Sequence, residues 1–181
     1  MGLTSIITIC VVVVLLLVLI ALSYVKTSPN QALVISGWPK KKPKFLIGTG
    51  GLRIPGLQKI DKLYLGQLSV DIKTDTSVPT SDFINVDVDA VAKVRIDPNH
   101  IDIAAANFLG KSREDIAREI RDSLQGNMRE IIGTQDLRSL NNDRDGFSNQ
   151  IQEKAAPDMA KLGIEILSCN IQSITDKEGL I

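Results

Sequence analysis

Residues 84–96 read Ile-Asn-Val-Asp-Val-Asp-Ala-Val-Ala-Lys-Val-Arg-Ile, and this stretch decides the fold. Apolar and polar side chains alternate along it, which is typical of a β-strand with one buried and one solvated face. Pro98 follows closely and stops the strand. The apolar positions from Ile84 to Ile96 are therefore expected to line one side of a sheet that a second layer covers.

Two further strand patterns lie on the N-terminal side of this stretch. Residues 68–73 alternate Leu, Val and Ile with Ser, Asp and Lys, and residues 31–36 form a mostly apolar run. Gly37, Pro39 and Pro43 follow the earlier run and are turn signals. The front of the folded part is therefore predicted to be rich in strands.

After Pro98 the apolar period changes from 2 to about 3.6, which predicts helices at residues 101–109, 113–132 and 145–162. Ser112 and Asp115 have the spacing of a capping box at the start of the second helix. Pro157 predicts a kink or break in the third helix. Gly163 then ends that helix, and residues 164–174 return to a strand pattern. This order predicts an α+β fold with helices packed on one face of a mostly antiparallel sheet.

Residues 2–25 contain 19 apolar side chains among 24 and no charged residue. As a helix this run would be about 36 Å long, which predicts a transmembrane anchor over residues 1–25. A cleaved signal peptide is the alternative, with a small-x-small site at Ala21-Leu22-Ser23, but no basic residue precedes the apolar run. N-myristoylation at Gly2 is disfavoured because position 6 is Ile6.

The zero net charge conceals an asymmetry between the two ends of the chain. Residues 1–60 carry seven Lys and Arg and no acid, whereas residues 61–181 carry 14 bases and 21 acids. A basic segment beside an apolar run indicates an anionic membrane surface, and the acidic remainder argues against nucleic acid as a partner. The lysines after the anchor predict that the folded domain is cytoplasmic, by the positive-inside rule.

Residues 26–60 are predicted to form a basic juxtamembrane segment together with the first strands. Apolar and aromatic residues alternate there with lysines, glycines and prolines. This composition predicts a membrane interface formed by Trp38, Lys40, Lys41, Lys42, Lys44 and Phe45. The alternative is that residues 45–47 form a core strand while the lysines lie in a solvated loop, and both descriptions can hold together.

Four groups of residues resemble chemical sites, but each has a simpler explanation as part of a strand, a turn or a helix cap. His100 is the one histidine of the chain and has no nearby nucleophile, and Asp87 and Asp89 follow from strand alternation. Residues 110–112, Gly-Lys-Ser, match the end of a phosphate-binding loop. The motif also requires a glycine five positions before Gly110, where this chain has Ala105, so it is incomplete. Residues 141–146 copy a calcium loop without its final Glu, so Asp145 is expected to be a helix N-cap instead. We therefore predict no enzyme activity, metal or cofactor.

Several ordered strings resemble flotillins. They are Phe108-Leu109-Gly110-Lys111-Ser112, Arg129-Glu130-Ile131-Ile132-Gly133-Thr134, Arg144-Asp145-Gly146-Phe147-Ser148, Ala160-Lys161-Leu162-Gly163-Ile164 and Ile174-Thr175-Asp176-Lys177-Glu178-Gly179. The resemblance begins at Pro29-Asn30-Gln31-Ala32-Leu33 and runs to the C-terminus. It implies a stomatin, prohibitin and flotillin homology (SPFH or band 7) domain over residues 61–174 and the preceding strands. Flotillins continue beyond this domain into a long helical region, and the resemblance implies that residues 175–181 are the start of it. The rest of that region is missing here, either because the sequence is a piece of a longer chain or because the gene is short.

By this resemblance the chain is expected to be a non-enzymatic, single-pass scaffold of the cell membrane. Such a scaffold forms homo-oligomers, organises lipid microdomains (membrane rafts) and recruits other membrane proteins. A regulatory adaptor of one membrane enzyme, such as a membrane protease, is the alternative. A charge-rich helix face at Glu114, Arg118, Arg121 and Asp122 is the candidate for lateral pairing between copies, and a solvated helix face is the simpler explanation of those residues.

Overall fold

The computed structural model describes residues 2–38 and 40–176, and it describes no side chains at positions 3–6, 40 and 41. Within it the chain divides into two compact units, Met1–Tyr64 and Leu65–Ile181. The predicted helical start at 177–181 lies outside the described residues, while Thr175 and Asp176 still belong to the last strand.

The second unit is built around the long alternating strand β8 (Asn85–Ile96). Its long partner β9 (Ile164–Asp176) pairs with it from Val86 to Ile96, while β6 (Leu68–Lys73) and β7 (Val78–Pro79) pair with successive parts of its other edge. All of these pairs are antiparallel, and every even-numbered position of β8 from 86 to 96 is buried. The predicted α+β class and the alternation of β8 are therefore confirmed.

The helices of this unit cover the buried side of the sheet. A 3-10 turn at Pro98–His100 leads into α2 (Ile101–Phe108), and α3 (Arg113–Ile132) and α5 (Arg144–Lys161) pack on β6 and β9 respectively and on each other. The stripe predicted for α3 is fully buried: Ile116, Ile120, Leu124, Met128 and Ile131. The predicted cap is also present, because Ser112 Oγ accepts a hydrogen bond from Asp115 N at 3.1 Å.

The first unit begins with α1 (Leu3–Ser23) and continues into short strands. Strands β1 (Tyr24–Lys26) and β4 (Gly50–Leu52) form a two-stranded ribbon. Strands β3 (Lys40–Ile47), β2 (Gln31–Gly37) and β5 (Gln58–Tyr64) form an antiparallel sheet in that order. Leu33, Ile35 and Leu46 make its small core, with Val25 and Ile60 packed against them.

Among the described residues, no helix has both the length and the hydropathy that a membrane crossing requires. The predicted transmembrane helix is therefore not confirmed.

Several local predictions are corrected. Pro43 lies inside β3, where it is tolerated because β3 is an edge strand whose N–H groups need not all be paired. Helix α5 runs through Pro157 without a break. Its N-cap is Asp143 and not Asp145, because Asp143 Oδ1 accepts a hydrogen bond from Gly146 N at 2.8 Å. Strands β1, β4, β5 and β7 and the short helix α4 (Leu137–Asn142) were not predicted.

Candidate functional site

The described side chains of α1 present an unbroken apolar surface. Large hydrophobic residues are exposed all along it: Ile7, Ile9, Val11, Val12, Val13, Val14, Leu15, Leu16, Leu17, Val18, Leu19, Ile20 and Leu22. No acid lies in its first turn and no base in its last turn. A helix that is hydrophobic on all sides is stable when an apolar medium surrounds it. The exposed apolar surface of α1 is therefore the first candidate in this unit for contact with an apolar partner or medium.

The end of α1 is tied directly to the β1–β4 ribbon. Arg53 N donates a hydrogen bond to Ser23 O at 2.8 Å, and Ser23 Oγ donates to Leu19 O at 2.6 Å. Glycines 50 and 51 permit this close approach, because a Cβ at Gly50 would collide with the Tyr24 ring and one at Gly51 with Leu46. These glycines belong to strand β4, which fixes how the chain leaves the helix.

Further apolar side chains are exposed around this exit. Tyr24 and Leu52 face each other across the ribbon, and Leu52 is 65% exposed. Trp38 is 70% exposed in the turn between β2 and β3, and Gly37 just before it pairs with Gln58, next to Leu57. We call Tyr24, Trp38, Leu52, Ile54 and Leu57 the apolar rim. Its members lie in the ribbon, in the β2–β3 turn and in the β4–β5 connection.

The predicted interface lysines lie along edge strand β3. Lys42 and Lys44 are exposed, while the side chains of Lys40 and Lys41 lie outside the described residues. Phe45 is half-buried opposite Val34, and the neighbouring Leu46 is buried in the core. Of residues 45–47 only Leu46 is buried, because Ile47 is 39% exposed. The lysines lie in the same strand and not in a loop, so β3 combines one core position with an exposed basic edge.

The four predicted lateral-pairing residues all lie exposed on α3. Arg118 forms an ion pair with Asp115 at 3.7 Å, and Arg121 Nε donates to Asp71 O of β6 at 3.0 Å. Arg121 therefore already has a role within the second unit, since it covers the edge of β6. Glu114 and Asp122 are exposed on the same helix, and lateral pairing through these four residues stays a prediction.

Two of the polar groups considered as chemical sites, His100 and Asp89, have side-chain partners. His100 Nδ1 lies 2.6 Å from Asp97 Oδ2, and this hydrogen bond raises the pKa of His100 and lowers that of Asp97. Lys73 forms an ion pair with Asp89 at 2.9 Å, and the hydrogen bond to Asp89 raises the pKa of Lys73. Across residues 2–38 and 40–176, no group of three His, Cys, Asp or Glu is arranged to hold a metal ion.

Comparison with known proteins adds a family to this description. Residues 25–181 match the model of the SPFH domain / Band 7 family. Flotillin-like protein FloT of Bacillus subtilis (strain 168) is 32% identical, covering 100% of this chain and 38% of that protein. Flotillin-1 of Drosophila melanogaster is 30% identical over 87% of the chain and 38% of the relative, and Flotillin-1 of Homo sapiens is 29% identical over 84% and 36%. The chain thus resembles flotillins, as its sequence strings predicted, and spans less than two fifths of their length.

Proposed function

Because the chain belongs to the SPFH domain / Band 7 family, we propose that it is a non-enzymatic scaffold at the cell membrane. In this proposal α1 anchors the chain, the apolar rim and the β3 lysines contact headgroups, and copies associate to gather lipids into microdomains and to recruit other membrane proteins. The exposed apolar surface of α1 and the rim is the observation that carries the proposal.

The anchor follows from the cost of leaving so much apolar surface in water. Each exposed Leu, Ile or Val loses roughly 1.5–3 kcal/mol relative to full burial, and ten of them, Val11 to Ile20, stand in succession on α1. Contiguous apolar patches of this size mark sites that bind a partner or a membrane. A bilayer supplies an apolar medium on every side of the helix, as the uniform composition of α1 requires.

The basic edge favours an anionic leaflet as the surface that the first unit meets. Seven bases and no acids lie in residues 1–60, and Lys42 and Lys44 extend into solvent from β3. Each lysine near an anionic surface contributes about 1 kcal/mol, and the attraction is screened by salt. By the positive-inside rule these lysines also favour a cytoplasmic position for the folded units.

Trp38 provides a direct test, because it is the single tryptophan of the chain. The full chain is reconstituted in vesicles of phosphatidylglycerol and phosphatidylcholine, and Trp38 fluorescence is quenched by lipids brominated near the headgroup. We expect strong quenching that weakens in the double variant Lys42→Gln, Lys44→Gln. The control Lys93→Gln, Lys161→Gln makes the same charge change on exposed lysines of the second unit and should leave quenching unaltered. Quenching by aqueous iodide with no effect of brominated lipid would contradict the interface.

Alkaline extraction tests the anchor in the same vesicles. We expect the native chain to remain with the lipid at high pH, while a Leu16→Asp, Leu17→Asp variant is released because charged side chains are costly in the hydrocarbon. Release of the native chain would overturn anchoring by α1. Protease protection of the N-terminus then distinguishes an anchor that crosses the bilayer from one that only enters it.

A further inference from the structure

The two sides of the sheet in the second unit end in different ways. On the β6 side, two side chains of α3 bond to the backbone of the outer strand: Arg121 Nε donates to Asp71 O at 3.0 Å, and Gln125 Nε2 donates to Lys73 O at 2.6 Å. On the other side, β9 pairs with β8, and no strand among residues 2–38 and 40–176 pairs with its outer edge. Helix side chains therefore cover one edge, while the other offers its outward backbone groups to a further strand.

The outer edge of β9 is protected only against long partners. Residues 164–176 contain no lysine, arginine or proline, which are the residues that commonly protect an edge strand. The strand does carry two bulges, at Leu167 and Gln172, where its pairing register with β8 shifts. Because bulges twist an edge, they disfavour long, flat pairing with the same strand of a second copy. The edge remains suited to a short segment.

A cleft of about 280 Å³ lies between α5 and the start of β9. On its helix side are Gln152, Ala156 and Ala160, which are four residues apart and so form one row on α5. On its strand side are Ile164 and Ile166. Because the two alanines are small, alternate side chains of a strand added to β9 would have room beside the helix. We call this cleft together with the outer edge of β9 the α5–β9 groove.

The charged groups in the lining of the cleft already have partners. Asp97 and Glu165 line it, Asp97 Oδ2 lies 2.6 Å from His100 Nδ1, and Glu165 Oε2 lies 2.8 Å from Arg95 Nε. An apolar side chain that enters the cleft therefore does not bury an unpaired acid, which would be costly.

The charges outside the cleft favour a basic segment. Residues 65–181 carry 13 Lys and Arg against 20 Asp and Glu. Two of the acids, Asp145 and Glu153, are exposed on α5, each about two helical turns from a residue of the row that lines the cleft. The neighbouring Lys154 pairs instead with Glu130 of α3, at 2.7 Å. The side of α5 that borders the groove is therefore negatively charged.

We propose that the α5–β9 groove binds a short, extended, basic segment of another membrane protein, which adds to β9 as a further strand. The backbone of the segment pairs with β9, its apolar side chains enter the cleft, and its basic side chains face Asp145 and Glu153. Cytoplasmic loops of membrane proteins are rich in Lys and Arg, so segments of this chemistry are present where the scaffold acts. The inference rests on the recruitment of other membrane proteins included in the proposed function, and it names the surface and the chemistry of the partner.

Binding is measured with the full chain in vesicles of phosphatidylcholine alone, where a basic probe has no anionic lipid to bind. The probe is a fluorescent synthetic peptide, Lys-Lys-Val-Thr-Ile-Thr-Lys-Lys, and its polarisation reports binding. We expect saturable binding that weakens at least about tenfold when the central amides are N-methylated, because methylation removes the backbone donors. Equal binding of the two peptides, or no saturation up to about millimolar peptide, would overturn the inference.

Hydrogen exchange followed by mass spectrometry locates the bound peptide. We expect the amides of residues 164–176 to exchange more slowly when the peptide is present, since added pairing protects them, while exchange in β6 is unchanged. A peptide held by surface charge alone would leave the exchange of β9 as it was. That result would overturn strand addition.

The cleft is tested by filling it. Ala160 is exposed on α5, so Ala160→Trp should fold normally and occupy the cleft, while Ala106→Trp, at an exposed alanine of α2, is the matched control. We expect about tenfold weaker peptide binding for the Ala160 variant alone. Circular dichroism checks that both variants fold. Equal binding by the two folded variants would overturn the role of the cleft.

The charge of the groove is tested without changing its shape. Asp145→Asn combined with Glu153→Gln removes the two acids beside the cleft, and Glu114→Gln combined with Asp122→Asn makes the same charge change at exposed positions of α3. We expect about fivefold weaker binding for the first pair, lost at high salt, and little change for the second. Equal weakening in both would mean that the net charge of the unit attracts the peptide, and would overturn the assignment to the groove.

The outcomes for the groove are distinct from those for the scaffold. Native chains that stay with the lipid at high pH but bind no peptide would overturn the groove and leave the scaffold intact. Release of native chains from the lipid would overturn the anchor of the scaffold, whether or not the peptide binds. Protection of the β9 amides that rises with the density of chains in the vesicle, without peptide, would assign the edge to a second copy and overturn the proposed partner.

Discussion

The two units of the chain treat their apolar side chains in opposite ways. In the second unit, β8 buries alternate residues under α3 and α5, and little large apolar surface is left except Phe83. In the first unit a small core of Leu33, Ile35 and Leu46 is accompanied by the exposed apolar surface of α1 and the rim. The second unit thus buries nearly all of its large apolar side chains, whereas the first unit buries those of β2 and Leu63 of β5 and leaves those of α1 and the apolar rim exposed.

The largest expected effect breaks the core of the second unit. Ile120 and Leu124 are 0% and 1% exposed on α3. Truncation of either to Ala should lower the free energy of unfolding by about 2–5 kcal/mol, because it removes buried contacts and leaves a cavity. Urea unfolding followed by circular dichroism measures the loss. Arg118→Ala on the exposed face of the same helix should change stability by less than about 0.5 kcal/mol; equal losses would contradict the burial of the stripe.

The next largest effect concerns the first unit, where glycines allow strands to approach more closely than a side chain would permit. Gly37 has φ = 118°, and a Cβ there would lie 2.5 Å from Leu57 O, whereas Gly56 has φ = 82° and open space around it. Gly56→Ala should cost about 1 kcal/mol through conformation alone. Gly37→Ala should cost about 1–3 kcal/mol more, because the backbone must shift.

Hydrogen exchange of the β2 and β5 amides measures this pair of variants locally. Faster exchange is expected for Gly37→Ala than for Gly56→Ala. Equal exchange in the two variants would mean that the β2–β5 approach tolerates a side chain. The first unit would then not depend on glycine at this point.

The sequence predicted most of the second unit because its elements each bury one face. Strand β8 alternates along its whole length, and the stripe of α3 repeats with helical period, so both patterns could be read locally. Strand β5 and the β1–β4 ribbon carry no such period. Their pairing depends on contacts between distant residues, such as Gly51 with Leu46, which local patterns do not contain.

The candidate sites were also predicted only in part, because the sequence shows local composition but not contacts between distant residues. The composition around Trp38 indicated an interface, but Tyr24 was assigned to the anchor although it forms the ribbon with Leu52. The free edge of β9 was missed because a strand pattern shows which face is buried and not which strand lies beside it. The lack of lysine, arginine and proline in residues 164–176 was the available signal of an unprotected edge.

A smaller effect sharpens the description of α5. Asp143 and Asp145 are two residues apart, and only Asp143 accepts the capping hydrogen bond from Gly146 N. Asp143→Ala should destabilise the second unit by about 0.5–2 kcal/mol, while Asp145→Ala should cost less than about 0.5 kcal/mol. Thermal unfolding of the two variants gives the comparison. A larger loss for Asp145→Ala would restore the cap that the sequence suggested.

The smallest effect is the pH response of the exposed His100–Asp97 pair. The hydrogen bond raises the pKa of His100 above 6.5 and lowers the pKa of Asp97 below 3.8. The His100 contribution is complete below pH 6.5 and is lost as pH rises through the folded pKa, while the Asp97 contribution is lost as pH falls through its own. The pair therefore stabilises the second unit most between these limits, and only slightly because solvent screens both groups.

Nuclear magnetic resonance of the His100 ring protons measures the shift directly, because the chain has one histidine. We expect a midpoint above pH 6.5 in the native chain and a return toward pH 6.5 in Asp97→Asn, since the carboxylate that stabilises the imidazolium is removed. An unchanged midpoint in Asp97→Asn would mean that solvent already screens the pair completely.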